Sequence, residues 1–189
     1  MSKKIYSITL IILVTIISVL IMVIPTFFTK NISRVKVDTE IKLPLILNDN
    51  KNIKIIFFGY AGCVDICTPR LFDLAKFYES LDNSIKNKIG IEFVDISIPE
   101  DKTLPQDFAQ IFNKDFKGIY LNEKNLRQYT KAFSVYFSKS LLDKTEFDHS
   151  TNIYLVKRDN NKKKIRYIYN SYPYNFKLLE TDIKELINE

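Results

Sequence analysis

A run of 25 residues without a charged side chain, Ile5–Thr29, opens this 189-residue chain. Isoleucine, leucine, valine and threonine make up most of the run. As an α-helix it would be about 37 Å long, enough to cross a hydrocarbon layer of about 30 Å with some tilt. The run predicts one N-terminal transmembrane helix within residues 1–30. It leaves residues 31–189, enough for one domain of ordinary size.

A cleaved secretory signal is the alternative interpretation of this run. Signal peptides usually have an apolar core of about 7–15 residues followed by small residues at the cleavage site. This run is longer, and Ile24–Phe28 contains no such site. We therefore expect an uncleaved anchor, with residues 31–189 exported in either case. A single anchor and an exported domain fit the bacterial inner membrane, with the domain facing the periplasm.

Apolar patterning downstream of the anchor predicts alternating strands and helices. The continuous apolar run Ile53–Phe58 is typical of a strand buried on both faces. Residues 30–50 are predicted to form an extended lead-in with few regular signals. The remaining elements are predicted as strands at 89–96, 117–121, 152–156 and 165–169, and as helices with apolar positions between Leu71 and Ile85, at 104–112, from Asn122 through Phe133, and at about 177–189. This order indicates an α/β fold with a mixed sheet flanked by helices.

The net charge of +6 raises the alternative of a nucleic-acid partner. The densest basic segment, 157–164, lies between two predicted strands and contains Asp-Asn-Asn, which favours a turn. A solvated hairpin tip explains this segment without a partner. The tyrosines that follow it could stack on bases, but alternation along a strand explains them equally well. We expect no nucleic-acid partner for an exported domain.

Cys63 and Cys67 are the only cysteines, and they lie where the predicted strand Ile53–Phe58 gives way to a helix. If the segment between them is helical, both face the same side, with their Cα atoms about 6 Å apart. This separation suits a disulfide and equally two thiolates that bind one ion. The positive end of the following helix would favour the thiolate form. A purely structural disulfide would close a very short loop and stabilise the fold little.

His149 is the only histidine, and it precedes the predicted strand at 152–156. A lone histidine is often only a surface or hydrogen-bonded residue. Two thiolates and one imidazole, however, form a complete soft site for Cu(I) and a plausible zinc site. Asp148 could orient the ring, and a backbone partner could do so equally well.

Residues 58–69, FGYAGCVDICTP, and 147–156, FDHSTNIYLV, resemble the Sco/SenC family of membrane-anchored copper proteins. Segments 97–101 and 131–139 also resemble this family. The resemblance covers most of residues 40–189 and implies a thioredoxin-like fold. It further implies copper ligation by Cys63, Cys67 and His149, and a role in assembling the CuA centre of cytochrome c oxidase.

Three positions depart from the family pattern without removing an implied ligand. Gly62 stands where the family has histidine before the first cysteine, and Val64 where it has proline. Thr68 follows the second cysteine, and the proline is displaced to Pro69. These changes could alter the redox potential or the geometry of the turn.

Three functions follow as hypotheses. The first is a metallochaperone rather than an enzyme: an exported domain binds copper through Cys63, Cys67 and His149 and delivers it to an oxidase subunit or another copper or thiol protein. Alternatively, a thiol–disulfide oxidoreductase would use the two cysteines without metal, as in reduction of the CuA cysteines. A non-catalytic binding module with a structural disulfide is the third. Only the metal hypothesis requires His149.

Overall fold

The computed structural model describes residues 3–28, 33–43, 51–141, 146–159 and 162–189. The chain divides into two compact units, Met1–Ser33 and Arg34–Glu189. The predicted division into residues 1–30 and 31–189, as an anchor and an exported domain, stays a prediction.

The first unit contains the helix α1, Lys3–Phe28. Its described apolar side chains are exposed on all sides of the helix. Hydroxyl side chains within it donate to backbone carbonyl groups one turn back, as Thr15 does to Ile11 and Ser18 to Val14. The predicted N-terminal helix is therefore present. Among the helices that the structure describes, none was found with both the length and the apolar character needed to span a bilayer.

The second unit is built around a mixed sheet of six strands in the order β1-β8-β7-β2-β3-β4. A separate two-stranded sheet pairs β5 with β6. Strands β2, β3 and β4 are parallel, whereas β1, β8 and β7 join the sheet in antiparallel pairs. The strands are β1 Val35–Glu40, β2 Ile53–Gly59, β3 Ile89–Asp95, β4 Lys117–Ile119, β5 Phe137–Lys139, β6 Phe147–His149, β7 Ile153–Asp159 and β8 Lys162–Tyr169.

Helices cover both faces of the six-stranded sheet. They are α2 Cys67–Ser80, α3 Asn83–Lys86, α4 Leu104–Phe112, α5 Glu123–Phe133 and α6 Phe176–Asn188. Neighbouring side chains on a strand point to opposite faces, so Phe57 and Phe58 enter different layers of the core. Phe57 stacks on Phe93, which also contacts Phe108 of α4. On the other face, Phe58 contacts Phe133 of α5. This two-sided core explains why β2 is apolar throughout, and it confirms the predicted α/β architecture.

The structure differs from the predicted elements at three places. Strand β1 lies in the region 30–50, which was predicted only as an extended lead-in and not as a strand of the sheet. It is a mostly exposed edge strand, so no buried apolar run marks it. Residues 44–50 lie outside the described residues. Helix α2 ends at Ser80 because Leu81 is extended, and Ile85 is buried from the separate helix α3. Strands β5 and β6 were not predicted at all. Three residues are too few to show a period of two.

The basic segment 157–164 belongs to the hairpin of β7 and β8, in which Asp159 pairs with Lys162. Its turn residues lie outside the described part of the chain. Tyr167 and Tyr169 are fully buried, and Tyr174 is also buried. These three rings pack in the core and are not exposed for stacking on bases. Tyr172 is exposed, and its hydroxyl donates to the Asp73 carboxylate at 2.7 Å.

Candidate metal and thiol site

The cysteine turn connects the carboxyl end of β2 with α2. The helix begins at Cys67, so Cys63 lies in the non-helical turn before it. The prediction that both cysteines could share one helical face is therefore wrong. Gly62 adopts φ +92°, a conformation that glycine allows at low steric cost, and it reverses the chain just before Cys63. The backbone N–H of Cys63 donates to the Tyr60 carbonyl at 3.2 Å and closes the turn.

Gly59 provides the space for the second sulfur. A Cβ atom at this position would lie 2.7 Å from Sγ of Cys67 and 3.0 Å from the ring of Phe93. These distances are shorter than van der Waals contact, so only glycine lets the helix start this close to the strand. The glycine just before the cysteine turn was visible in the sequence, and its role is to admit the Cys67 sulfur.

The two sulfurs are in different protonation states. Both cysteines are buried, and they do not form a disulfide with each other. A hydrogen bond from the Cys67 thiol, which outweighs desolvation, lowers the pKa of Cys63 to about 4. The neighbouring His149 side chain acts in the same direction, as does the backbone N–H of Cys67, which donates to Sγ of Cys63 at 3.2 Å. The backbone N–H at the helix start thus contributes to the predicted thiolate at Cys63, although the Cys67 thiol is the larger cause.

Cys67 shows the opposite shift. Its hydrogen bond to Cys63 raises the pKa of the Cys67 thiol far above its usual range, and burial and repulsion by the Cys63 thiolate add to the effect. At neutral pH the site therefore contains one thiolate and one thiol. The pair holds one negative charge before any metal or substrate arrives.

His149 is the last residue of β6, and the small β5–β6 sheet carries it to the cysteines. Its Nε2 atom lies 3.4 Å from Sγ of Cys67. The other ring nitrogen, Nδ1, is 3.0 Å from the backbone oxygen of Ser150, to which its N–H donates. This bond leaves Nε2 as the nitrogen that faces the sulfurs. The ligand atoms of Cys63, Cys67 and His149 all lie within 4.8 Å of one another.

Asp148 does not orient the ring. Its side chain is exposed, and as the neighbour of His149 on a strand it points to the other face of the small sheet. The backbone alternative, through Ser150, describes the observed contact.

Sequence reasoning missed two residues that touch this site. The ring of Tyr60 packs edge to face on the imidazole of His149, with 6.0 Å between centroids and an interplanar angle of 82°. Burial, together with repulsion by and a hydrogen bond to Cys63, raises the pKa of Tyr60 to about 12, so the phenol stays neutral. The carboxylate of Asp95, at the end of β3, accepts a hydrogen bond from the Ala61 backbone N–H. In the sequence, the one sign of Asp95 is that a charged residue ends the mostly apolar strand β3.

This combination defines a class: a thioredoxin-like domain with a dithiol at the carboxyl edge of its parallel strands and an imidazole beside it. Among solved structures, apo Sco1 from Thermus thermophilus matches with a TM-score of 0.62, 20% identity, and coverage of 82% of this chain and 93% of that one. Yeast Sco1 with copper bound matches with a TM-score of 0.59, 17% identity, and coverage of 82% and 89%. At these identities the structures establish the shared fold.

Sequence comparison then gives the family. The SCO1/SenC family profile matches residues 50–186. An SCO2-like protein of Rickettsia conorii is 30% identical over 134 residues, which cover 66% of this chain and 63% of that protein. The mitochondrial SCO1 homolog 1 of Arabidopsis thaliana is 26% identical over 57% of this chain and 33% of that protein. The chain belongs to the SCO1/SenC family, and it spans less than two thirds of the length of these relatives.

Proposed function

We propose that this chain binds copper through Cys63, Cys67 and His149 and delivers it to the CuA centre during assembly of cytochrome c oxidase. The observation that carries the proposal is the convergence of two sulfurs and one imidazole nitrogen within 4.8 Å, although 82 residues separate Cys67 from His149. Thiolate and imidazole are the ligands that Cu(I) prefers. The match to a family with copper-bound members supports the same function.

The donor atoms fit one ion with little rearrangement. Bonds of about 2.0–2.3 Å, the values for zinc with nitrogen and sulfur, separate two donors on one ion by at most about 4.6 Å. The observed limit of 4.8 Å is only slightly larger. Cys63 is already a thiolate, so binding needs the loss of one proton, from Cys67. Copper is the cargo here, and the chain supplies ligands, burial and a fixed imidazole.

A titration of the full chain in detergent under anaerobic conditions tests this proposal. We expect the reduced protein to retain one Cu(I) per chain against a competing chelator. His149→Ala and Cys63→Ser each remove a proposed ligand and should weaken retention by more than about tenfold, since loss of a group that only orients a ligand already costs about 10–100-fold. Asp148→Ala is the matched control, because it changes the exposed neighbour of His149. Equal retention by all four proteins would refute the copper site.

The split protonation of the dithiol favours a second candidate, a thiol–disulfide oxidoreductase. The Cys63 thiolate would attack a partner disulfide, forming a mixed disulfide and releasing one partner thiolate. Cys67, after losing its proton, would attack the Cys63 sulfur and release the second partner thiolate. Two electrons then pass to the partner, and the chain is left with a Cys63–Cys67 disulfide. The CuA cysteines are the proposed substrate.

Trapping separates the two candidates. Cys67→Ser should accumulate a mixed disulfide with an oxidised partner, because the resolving thiol is missing. His149→Ala should leave this reaction intact and lose copper. A His149→Ala protein that loses both activities would contradict a metal-free thiol reaction.

We propose further that α1 anchors the domain in the bacterial inner membrane as a single pass, with the domain in the periplasm. The support is the charge-free run Ile5–Thr29 and the exposed apolar side chains of α1. The hydroxyls of Thr15 and Ser18 bond to carbonyl groups of the helix itself, so these polar side chains need no partner outside it. Membrane fractions washed with alkaline carbonate decide it: an anchored chain stays in the pellet, and release into the wash would refute the anchor.

A further inference from the structure

Asp95 is a buried carboxylate at the edge of the sheet where the cysteine turn begins. It is the last residue of β3, it pairs in register with Gly59 of β2, and it is 1% exposed. The next residue continues the pairing, since the N–H of Ile96 donates to the Gly59 carbonyl at 2.8 Å. Asp95 therefore has a fixed backbone directly beside the start of the turn.

The two carboxylate oxygens of Asp95 bind different segments. Oδ2 accepts a hydrogen bond from the Ala61 backbone N–H at 2.9 Å. Oδ1 accepts one from the Ser97 backbone N–H at 2.7 Å and one from the Ser97 hydroxyl at 2.6 Å. Hydrogen bonds to an ionised acceptor are about twice as strong as neutral ones. One side chain thus ties the cysteine turn to the loop after β3.

At its far side the cysteine turn is held to the start of α2, because the Cys63 carbonyl accepts from the Thr68 N–H at 3.2 Å and from the Thr68 hydroxyl at 2.9 Å. The middle of the turn has few side-chain contacts of its own. Ala61 presents only a methyl group, and Gly62 has no side chain and is exposed. The turn is closed by the bond from the Cys63 N–H to the Tyr60 carbonyl at 3.2 Å, which lies within the turn itself. The bond from Ala61 to Asp95 is the contact that joins the middle of the turn to a rigid strand.

We infer that Asp95 is a positioning residue for Cys63: it holds the turn so that the Cys63 sulfur meets Cys67 and His149. This inference rests on the proposed copper site and adds a residue to it. Asp95 touches neither the donor atoms nor the cargo, and it acts through the backbone of Ala61.

Substitutions at Asp95 should weaken copper binding in a graded way. Asp95→Ala removes all three acceptor contacts, and we expect Cu(I) affinity to fall by about 10–100-fold, the range for groups that orient metal ligands. Asp95→Asn keeps the shape and one acceptor oxygen but turns an N–H₂ group toward a donor. Its affinity should lie between those of wild type and Asp95→Ala. Because Asp95→Asn has the same shape as wild type, it also controls for misfolding of Asp95→Ala.

Ser97→Ala is the matched control. It removes the hydroxyl bond to Oδ1 of the same carboxylate and leaves the bond to Ala61 in place. If Asp95 acts through the turn, Ser97→Ala should bind Cu(I) nearly as tightly as wild type. If Asp95 only stabilises the fold, both substitutions should lower affinity in proportion to their loss of thermal stability.

The experiment is a Cu(I) competition titration of the full chain in detergent, with the rate of iodoacetamide labelling at Cys63, mapped by mass spectrometry, as a second readout. The inference predicts altered labelling of Cys63 in Asp95→Ala and Asp95→Asn but not in Ser97→Ala. Wild-type protein that binds no copper would refute the proposed function, and the labelling rates would still test Asp95. Unchanged affinity and labelling in both Asp95 variants, or equal changes in Ser97→Ala, would overturn the inference.

Discussion

Cys63 and Cys67 differ in protonation because their surroundings at the start of α2 differ. The Cys67 backbone N–H and the Cys67 thiol both donate to Sγ of Cys63, so charge collects on one sulfur. Cys67 is fully buried and keeps its proton. The result is a site with one thiolate, which can bind a metal ion or attack a disulfide, and one thiol, which must lose its proton before it can do either.

This asymmetry makes the stability of the reduced protein depend on pH. The folded pKa of Cys63, about 4, lies below the ordinary thiol value of 9.0. Between these values the unfolded chain binds a proton that the native chain does not, so the free energy of unfolding should rise as pH increases from about 4 to about 9. Cys67, whose pKa is raised, reverses the trend above that range.

Urea unfolding of the reduced, metal-free chain at several pH values measures this effect, with Cys63→Ser as the control that should lose the slope. Ultraviolet thiolate absorbance gives the titration directly. A wild-type thiolate signal that vanishes on lowering the pH through 8 would contradict the assignment.

Gly59 provides a steric prediction. Gly59→Ala should push Sγ of Cys67 away from its position, because the new Cβ would lie 2.7 Å from it. We expect a loss of stability of about 1–3 kcal/mol, typical of overpacking, together with weaker Cu(I) binding. Thermal unfolding and the copper titration measure the two effects.

Gly90→Ala is the matched control in the neighbouring strand. Its added Cβ approaches the end of the Lys54 side chain and not the cysteines. Gly90→Ala should bind Cu(I) as tightly as wild type even if its thermal stability is lower. Equal copper affinity in wild type and Gly59→Ala would show that the space above Gly59 does not matter to the site.

The β5–β6 sheet is the element that brings the imidazole to the sulfurs. Phe137 of β5 pairs with His149 of β6. The Ser150 hydroxyl stabilises the end of this pair, because it accepts a hydrogen bond from the Tyr136 N–H at 2.8 Å and donates one to the Tyr136 carbonyl at 3.2 Å. Tyr60 and Phe147 pack beside it, with 5.4 Å between their rings. A short sheet held by so few contacts depends on each of them.

Ser150→Ala should therefore loosen the position of His149. We expect Cu(I) affinity to fall, but by less than in His149→Ala, since the ligand remains. Ser138→Ala is the matched control, because among the described residues of the same hairpin its hydroxyl hydrogen-bonds to the exposed Tyr136 hydroxyl. Competition titration compares the three variants; an effect of Ser138→Ala as large as that of Ser150→Ala would point to general loosening of the hairpin.

The sequence pattern predicts the large elements but does not reveal the small β5–β6 sheet. Strand β2 and helix α4 carry strong periodic or apolar signals, and α4 was predicted with its observed bounds. The chain from 134 to 149 has no such signal, since β5 and β6 are half-exposed and three residues long. The convergence of His149 with the cysteines depends on tertiary packing. The residue pattern could suggest that they meet, but only the folded structure shows it.

At the scale of the whole domain, Asp182 connects the beginning of Arg34–Glu189 with its final helix. This carboxylate is 1% exposed and binds both the Arg34 guanidinium and the Tyr169 hydroxyl. Arg34 also lies over the ring of Tyr167 at 4.7 Å. The cluster joins Arg34, just before β1, to β8 and α6, and it lies away from the cysteine turn in the sequence and in the sheet order.

Asp182→Asn should lower the free energy of unfolding by about 1–3 kcal/mol, because it leaves the Arg34 charge without its partner in a half-buried position. Glu185→Gln on the same helix is the control, since its pair with Lys36 is exposed and should contribute less than about 1 kcal/mol. Urea denaturation measures both. Copper affinity should be unchanged in both variants, and a loss in Asp182→Asn would show that this cluster is coupled to the site.

The proposed copper site requires one arrangement: two sulfurs and one imidazole around a single copper ion. X-ray absorption spectroscopy of the full chain loaded with Cu(I) tests it directly. The predicted spectrum contains two sulfur ligands and one nitrogen ligand with imidazole outer-shell scattering, and the nitrogen contribution disappears in His149→Ala. A spectrum with sulfur ligands alone, or one that His149→Ala leaves unchanged, would contradict it.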